Sequence, residues 1–176
     1  IVLVDQSRCN GYKHCVAACP YKKPMFNSTT TRSEKCVACY PKVEDGMQTQ
    51  CVEQCIGKIR MQGWISTPDK AREDNPMDYL VYVAKVARPL YPQFGTEPNV
   101  YYIPPIHVPA DYLKQMFGPE VEKAVQVYKD RCLNDPVMQG LLVLFGSSPE
   151  IMTKFKVKNG VALGYNSKGK LVAEAP

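Results

Sequence analysis

The sequence has no long apolar run, and this excludes several classes of protein. No uninterrupted apolar stretch approaches the roughly 20 residues that a membrane-spanning helix needs. Residues 1–4 are apolar, but Asp5 ends them too early for the apolar region of a signal peptide. A chain with 11 glycines among 176 residues is not collagen-like. Position 1 is isoleucine rather than methionine, which indicates a fragment or a processed product.

Patterns typical of an active site are also missing. There are two histidines, His14 and His107, and no Ser-His-Asp set, paired carboxylates or phosphate-binding glycine loop stands out. The net charge is +5, but nucleic-acid binding would need a wider basic stripe with stacking aromatic residues. The sequence therefore predicts neither a catalytic site nor a nucleic-acid interface.

Cysteine is the residue type that carries chemistry in this chain. Seven of the eight cysteines fall within residues 9–55, while Cys132 stands alone on the apolar face of a predicted helix, where we expect a buried core thiol. The first run is Cys9-x2-Tyr12-x2-Cys15-x3-Cys19-Pro20. It has the spacing of the bacterial ferredoxin run C-x2-C-x2-C-x3-C-P, with tyrosine at the second cysteine position.

The second run has the same x3 ending and an insertion, residues 40–50, in its middle. Its pattern is Cys36-x2-Cys39-x11-Cys51-x3-Cys55. Two such runs facing each other form a two-cluster ferredoxin arrangement. A cubane corner without a thiolate tends to lose its iron, because a tyrosine phenol is a poor soft ligand. We therefore expect a [3Fe-4S] cluster at Cys9 and Cys15, beside a [4Fe-4S] cluster bound partly by Cys19.

Zinc and disulfides are the alternatives for these cysteines. Structural zinc sites favour four ligands in two pairs, and seven cysteines do not divide into such sites. Disulfide frameworks are more typical of small secreted scaffolds. In residues 1–60, nine Lys and Arg stand against five Asp and Glu, and cations near a negatively charged cluster raise its reduction potential. Iron–sulfur clusters fit these features best.

We predict an α+β fold in three parts. Residues 1–66 form a ferredoxin-like iron–sulfur segment, with strands at 1–5 and 59–65 and only single-turn helices and loops between them. Residues 67–118 provide a linker, a helix and an extended arm rich in proline and tyrosine. Residues 119–176 provide a helical pair and a small C-terminal hairpin or meander. Hydrophobic residues make up 45% of the chain, so a packed core is expected.

Caps and prolines predict where the later helices begin and end. Asn75 before Pro76 predicts the start of a helix that runs to about Ala87. Six prolines in residues 88–109 exclude a helix there and predict an arm that lies on its own domain or on a partner subunit. Gly118 is expected to end a short helix, and Asp135 is expected to cap the start of another. The Asn159-Gly160 pair predicts a hairpin turn.

The motifs resemble those of one known family over nearly the whole chain. The matching stretches are Cys9-Asn-Gly-Tyr12, Cys15-x3-Cys19-Pro-Tyr-Lys-Lys, Ser33-Glu-Lys-Cys36-x2-Cys39-Tyr-Pro-Lys, Cys55-Ile-Gly-Lys-Ile-Arg60, residues 89–105 and Gln115-Met-Phe-Gly-Pro119. They look like the iron–sulfur beta subunit of the nitrate reductase branch of molybdenum enzymes, the type II dimethyl-sulfoxide-reductase group. That group includes nitrate, selenate, chlorate and perchlorate reductases, nitrite oxidoreductase, and ethylbenzene and dimethylsulfide dehydrogenases.

The resemblance implies four clusters, three [4Fe-4S] and one [3Fe-4S], built from four cysteine runs of which this chain has the third and fourth. A missing N-terminal half of the same subunit would supply the other ligands. The implied assignment is Cys9 and Cys15 on the [3Fe-4S] cluster, Cys19 on a [4Fe-4S] cluster beside it, Cys36, Cys39 and Cys51 on another, and Cys55 on the last. The alternative is self-contained pairing, with Cys9, Cys15 and Cys55 on one cluster and Cys19, Cys36, Cys39 and Cys51 on the other. We favour the family topology.

The resemblance also implies an electron-transfer subunit with no catalysis of its own. Electrons would pass between a molybdenum-cofactor alpha subunit and a haem-containing gamma subunit, cytochrome or soluble carrier. Tyr12 looks more like nitrite oxidoreductase and periplasmic members than like cytoplasmic nitrate reductases, which have tryptophan there. We therefore expect a periplasmic or membrane-associated complex, with the cytoplasmic face of the membrane as the alternative.

Two other functions stay open on the sequence alone. One is a stand-alone seven-iron ferredoxin-like carrier with an interaction domain, which would assemble its clusters without another chain. The other is a zinc-stabilised binding module, which would be colourless.

Overall fold

The computed structural model describes residues 1–176, and the cysteine-rich segment (residues 1–66) has only short elements. These are helix α1 (His14–Ala18), strands β1 (Met25–Asn27) and β2 (Arg32–Glu34), and helices α2 (Tyr40–Glu44) and α3 (Gln50–Glu53). The two strands pair antiparallel, with Met25 opposite Glu34. The single-turn helices agree with the prediction from the cysteine spacing, but the two strands between α1 and α2 do not, because only helices and loops were predicted there.

The prediction of strands at residues 1–5 and 59–65 is wrong. Neither stretch is paired, and Ile1, Val2 and Ile59 are 68%, 76% and 75% exposed. A strand needs an edge to pair with and a core on one face, and this segment offers neither to these residues. Its sheet is instead the hairpin of β1 and β2, which the sequence analysis missed. Asn27 is the residue from which this hairpin could have been predicted, because asparagine favours turns. Its side chain accepts a hydrogen bond from the backbone N–H of Thr29 (2.9 Å) in the connecting turn.

The helix after the linker is shorter than predicted. Helix α4 (Pro76–Asp78) continues as a π-helical turn at Tyr79–Val83. The Asn75 cap is confirmed, since its side chain accepts from the N–H of Met77 at 3.1 Å. The helix stops before Ala87 because Lys85 has left-handed backbone (φ 56°), so the chain turns back.

The proline-rich stretch contains only very short elements, and no α-helix lies between residues 88 and 109. A single 3₁₀ turn, Pro92–Phe94, lies between strands β3 (Arg88–Pro89) and β4 (Tyr101–Tyr102), which pair antiparallel. The backbone N–H of Tyr91 donates to the Met116 carbonyl at 2.7 Å. The stretch therefore rests partly on its own chain.

The last 67 residues form the best-packed region. Its elements are helices α5 (Ala110–Phe117), α6 (Val121–Asn134) and α7 (Pro136–Val143), and an antiparallel meander of strands β5 (Lys154–Lys158), β6 (Val161–Tyr165) and β7 (Leu171–Ala175). The Asp135 cap is confirmed by a 2.9 Å bond from the N–H of Val137. No helix is long and apolar enough to cross a membrane. The α+β class is confirmed.

The core lies between α7 and the meander. Met138 and Leu141 of α7 are fully buried and pack with Phe155 of β5 and Ala162 of β6. Helix and sheet approach closely at Gly140, where an added Cβ would lie 2.6 Å from a Val157 methyl. Most of the apolar burial in this chain therefore lies outside the cysteine-rich segment.

A buried carboxylate ties the linker to α4. Asp78 is 0% exposed and accepts hydrogen bonds from Ser66 N and Ser66 Oγ, both at 2.7 Å, and from Arg72 N at 3.1 Å. Each end of the loop between residues 66 and 72 is thus fixed to one side chain. The sequence analysis treated this stretch only as a polar linker.

We expect Asp78→Ala to lower the free energy of unfolding by about 2 kcal/mol, because it removes a buried carboxylate that accepts three hydrogen bonds and leaves the part-buried N–H groups of Ser66 and Arg72 without this acceptor. Urea unfolding followed through the fluorescence of Trp64 measures this change. The matched control is Asp69→Ala, an exposed carboxylate in the same loop, for which we expect a change below about 0.5 kcal/mol. Equal losses from both substitutions would contradict the anchoring role.

Candidate iron–sulfur site

The seven predicted ligands lie on loops and at the ends of short helices. Cys15 is in α1 and Cys51 in α3, Cys19 and Cys39 border α1 and α2, and Cys9, Cys36 and Cys55 are in loops. All eight cysteines are free thiols. Cys15, Cys36 and Cys51 are exposed, and the others are half-buried. None of these thiols is engaged in a disulfide, and all are at least partly accessible, as cluster ligands need to be.

The structure does not bring the predicted ligands together at one point. No three Cys, His, Asp or Glu side chains gather into a group that could hold a metal ion. The two ligand assignments for iron–sulfur clusters stay predictions.

Residues with left-handed backbone are concentrated in the cysteine-rich segment. Six of the ten non-glycine residues with positive φ lie in the cysteine-rich segment: Lys13, Lys22, Thr31, Ala38, Cys39 and Lys58. Turns of this kind point successive N–H groups into concavities that bind anions and iron–sulfur clusters. The donor set of this segment therefore fits a thiolate-ligated cluster.

Two thiols receive backbone hydrogen bonds that lower their pKa. The Ser33 N–H donates to Cys9 Sγ at 3.3 Å and, with the Gly11 N–H, lowers the pKa of Cys9. The Lys23 N–H is the largest cause of a lowered pKa at Cys19. Metal ligands must be deprotonated, so these contacts prepare the thiols for ligation.

The loop carrying Cys9 depends on a glycine. Gly11 has φ +72°, and an added Cβ would lie 2.3 Å from the Thr31 carbonyl oxygen. The loop can therefore pack against the β1–β2 hairpin only with glycine at this position. Tyr12, which follows it, is 75% exposed, and its ring centroid is 6.2 Å from that of His14.

Comparison with known proteins supports the cluster interpretation. The 4Fe-4S dicluster domain family matches residues 1–65. The chain is 43% identical over 144 residues to the dimethylsulfide dehydrogenase beta subunit of Rhodovulum sulfidophilum, covering 73% of this chain and 43% of that protein. It is 43% identical over 142 residues to the selenate reductase beta subunit of Thauera selenatis, covering 71% and 42%. It is 31% identical over 151 residues to the respiratory nitrate reductase 1 beta chain of Escherichia coli (strain K12), covering 60% and 30%.

The chain is a homologue of these beta subunits. The resemblance to the type II group of molybdenum enzymes is thereby confirmed. The chain spans about two fifths of the length of the first two relatives.

The insertion in the second cysteine run of this beta-subunit homologue docks onto the C-terminal region. The Gln48 N–H donates to the Pro149 carbonyl at 2.7 Å, and the Ile151 N–H donates to the Gly46 carbonyl at 2.8 Å. Gln48 is 0% exposed. Residues 46–48, which we call the docking strap, therefore hold the second run against the core of the protein.

The receiving loop is itself fixed by the meander. The Glu150 carboxylate accepts from Lys170 Nζ at 2.8 Å and from Asn166 Nδ2 at 2.7 Å, and these bonds lower its pKa, with Lys170 the largest cause. The strap thus meets a surface that the C-terminal sheet orders. Sequence reasoning missed this contact, because its partners are about 100 positions apart and no local pattern links them.

Proposed function

We propose that this chain is part of an electron-transfer subunit of an oxidoreductase complex. It would relay electrons between a molybdenum-containing catalytic alpha subunit and a haem-containing gamma subunit, cytochrome or soluble carrier, and would catalyse no reaction itself. The observation that carries the proposal is the coincidence of the dicluster-domain match at residues 1–65 with seven free thiols in the same segment. Relatives that are beta subunits of reductases and dehydrogenases support the same role.

The proposed ligands are Cys9, Cys15, Cys19, Cys36, Cys39, Cys51 and Cys55. Bound clusters supply one-electron transfer. The chain's own part is to hold and shield the sulfurs and to donate hydrogen bonds to them, as the Ser33 N–H does to Cys9 and the Ala38 N–H does to Cys36 at 3.3 Å. We propose a [3Fe-4S] cluster at Cys9 and Cys15, because Tyr12 occupies the position of the missing thiolate, and [4Fe-4S] clusters at the other ligands.

We propose the family topology for the ligands, in which a further part of the same subunit completes each cluster. This assignment is supported by the coverage, since the chain spans about two fifths of the length of its first two relatives. The proposed location is a periplasmic or membrane-associated complex, with the cytoplasmic face of the membrane as the alternative. Tyr12 is the residue that supports the periplasmic or membrane-associated location.

A self-contained two-cluster carrier is the second candidate. The observation that favours it is that the dicluster-domain match lies wholly within residues 1–65. In this case Cys9, Cys15 and Cys55 would hold one cluster, and the remaining four ligands would hold the other. The chain alone would then retain its iron.

Iron and acid-labile sulfide content, measured with EPR spectra on the native complex and on this chain alone, tests the proposal. We expect signals of reduced [4Fe-4S] clusters and of an oxidised [3Fe-4S] cluster in the complex, and loss of the clusters from the isolated chain. About seven irons retained by the isolated chain would favour the self-contained carrier. Zinc without sulfide in the native complex would contradict both.

A further inference from the structure

Thr49 lies against one of the proposed ligands. Its hydroxyl oxygen is 3.5 Å from Cys51 Sγ, and the residue is 8% exposed. It occupies the N-cap position of α3, where a threonine side chain ordinarily accepts from a backbone N–H of the first turn. Here the side chain makes no such bond. The Thr49 hydroxyl is therefore available for a hydrogen bond with the sulfur of Cys51.

Contacts on both sides of Thr49 fix its position. Its own N–H donates to the Gln62 side-chain oxygen at 2.8 Å, and the preceding residue, Gln48, is fully buried in the docking strap. A β-branched side chain on a fixed backbone has few accessible rotamers. The separation between the hydroxyl and Cys51 is thus set by the fold, through the strap and Gln62.

The direction of the hydrogen bond follows from the protonation state of a ligand. A thiolate that binds iron carries no proton, so the Thr49 hydroxyl must be the donor and Cys51 the acceptor. A donor withdraws negative charge from the sulfur, and this stabilises the reduced, more negative cluster more than the oxidised one. Removal of the donor should therefore lower the reduction potential.

We infer that Thr49 is a positioning residue that raises the reduction potential of the [4Fe-4S] cluster to which Cys51 contributes, by donating a hydrogen bond to the Cys51 sulfur. The inference rests on the proposed function, because it needs Cys51 as a ligand. It holds for either ligand assignment, since Cys36, Cys39 and Cys51 share one cluster in both. Cys9 and Cys36 receive backbone N–H groups instead, which substitution of a side chain does not remove.

The test is an EPR-monitored redox titration of the native complex carrying Thr49→Val, with iron content measured on the same samples. We expect the midpoint potential of a single [4Fe-4S] cluster to fall by about 59 mV, the equivalent of a tenfold change in a one-electron equilibrium. Thr49→Ser keeps the hydroxyl and should restore the wild-type value. If Thr49→Val yields no complex, Thr49→Ala is titrated in its place with the same expectation.

Thr67→Val is the matched control. Thr67 also occupies an N-cap position without a side-chain capping bond, but it is exposed and makes no hydrogen bond with a cysteine. Its substitution should leave every potential unchanged. Unchanged potentials in Thr49→Val with full iron content would overturn the inference and leave the proposed function standing. A wild-type complex without iron–sulfur clusters would instead overturn the proposed function, and the inference with it.

Discussion

Cys51→Ser removes one [4Fe-4S] cluster, about four irons per complex, if the proposed ligands are correct. Serine is a hard oxygen donor and a poor substitute for a soft thiolate on iron. Loss of this ligand also leaves the proposed Thr49 donor without its acceptor. Iron and acid-labile sulfide content of the purified complex measures the loss, and the EPR signal of one reduced cluster should disappear with it.

Cys132→Ser is the control for this substitution. Cys132 lies on α6 and packs against the core of the C-terminal region, far in sequence from the other cysteines. It interacts with Tyr128, whose pKa is raised to about 12, mainly by burial and also by a hydrogen bond with Cys132. We expect this variant to keep its full iron content. Equal iron loss from both variants would refute the assignment of Cys51 as a ligand.

Removal of the iron is expected to unfold the cysteine-rich segment and leave the C-terminal region folded. Four of the 66 residues in that segment are buried, against 24 of the remaining 110, and Val52 is the only buried apolar residue among the four. A segment with so little apolar burial cannot offset the conformational entropy lost on folding. Bound clusters and the surfaces that surround them would supply the missing free energy.

Hydrogen-exchange mass spectrometry before and after iron chelation measures this effect. Amide protection should be lost throughout residues 1–66 and retained in the meander, β5 to β7, which serves as the internal reference. Ile56, Ile59 and Trp64, which are 99%, 75% and 58% exposed in this chain, lie where the loss should be complete. Unchanged protection in residues 1–66 after chelation would show that the segment folds without its clusters.

Features encoded by neighbouring residues were predictable from the sequence. Asn75 and Asp135 cap their helices as expected, because a cap depends on the residue and the two or three that follow it. The Asn159-Gly160 turn fixes the β5–β6 hairpin for the same reason, with Lys158 opposite Val161. The cysteine spacing is equally local, and the dicluster-domain match confirms the class of domain it indicated.

Features that depend on distant partners were not predictable. Residues 1–5 have the composition of a strand, but no neighbouring strand edge is available for pairing. The apolar residues continue at helical spacing to Ala87, so the sequence does not indicate the left-handed turn at Lys85. The burial of Gln48 depends on contacts with residues 149–151, and no pattern in the sequence around Gln48 predicts these contacts. The same limit applies to the ligand assignment, because it depends on which cysteines meet in space.

The docking strap has a consequence for the order of events on the ribosome. Gln48 and its acceptor on Glu150 are 102 positions apart, and the neighbouring bridge joins Met47 to Glu150. At roughly 5–20 residues per second, translation takes about 5–20 s to reach the second partner after the first has been made. The second cysteine run therefore spends that interval unanchored in the nascent chain. We expect the cluster proposed at Cys51 to be inserted after the strap has docked, because the loop before Cys51 is not held in place until then.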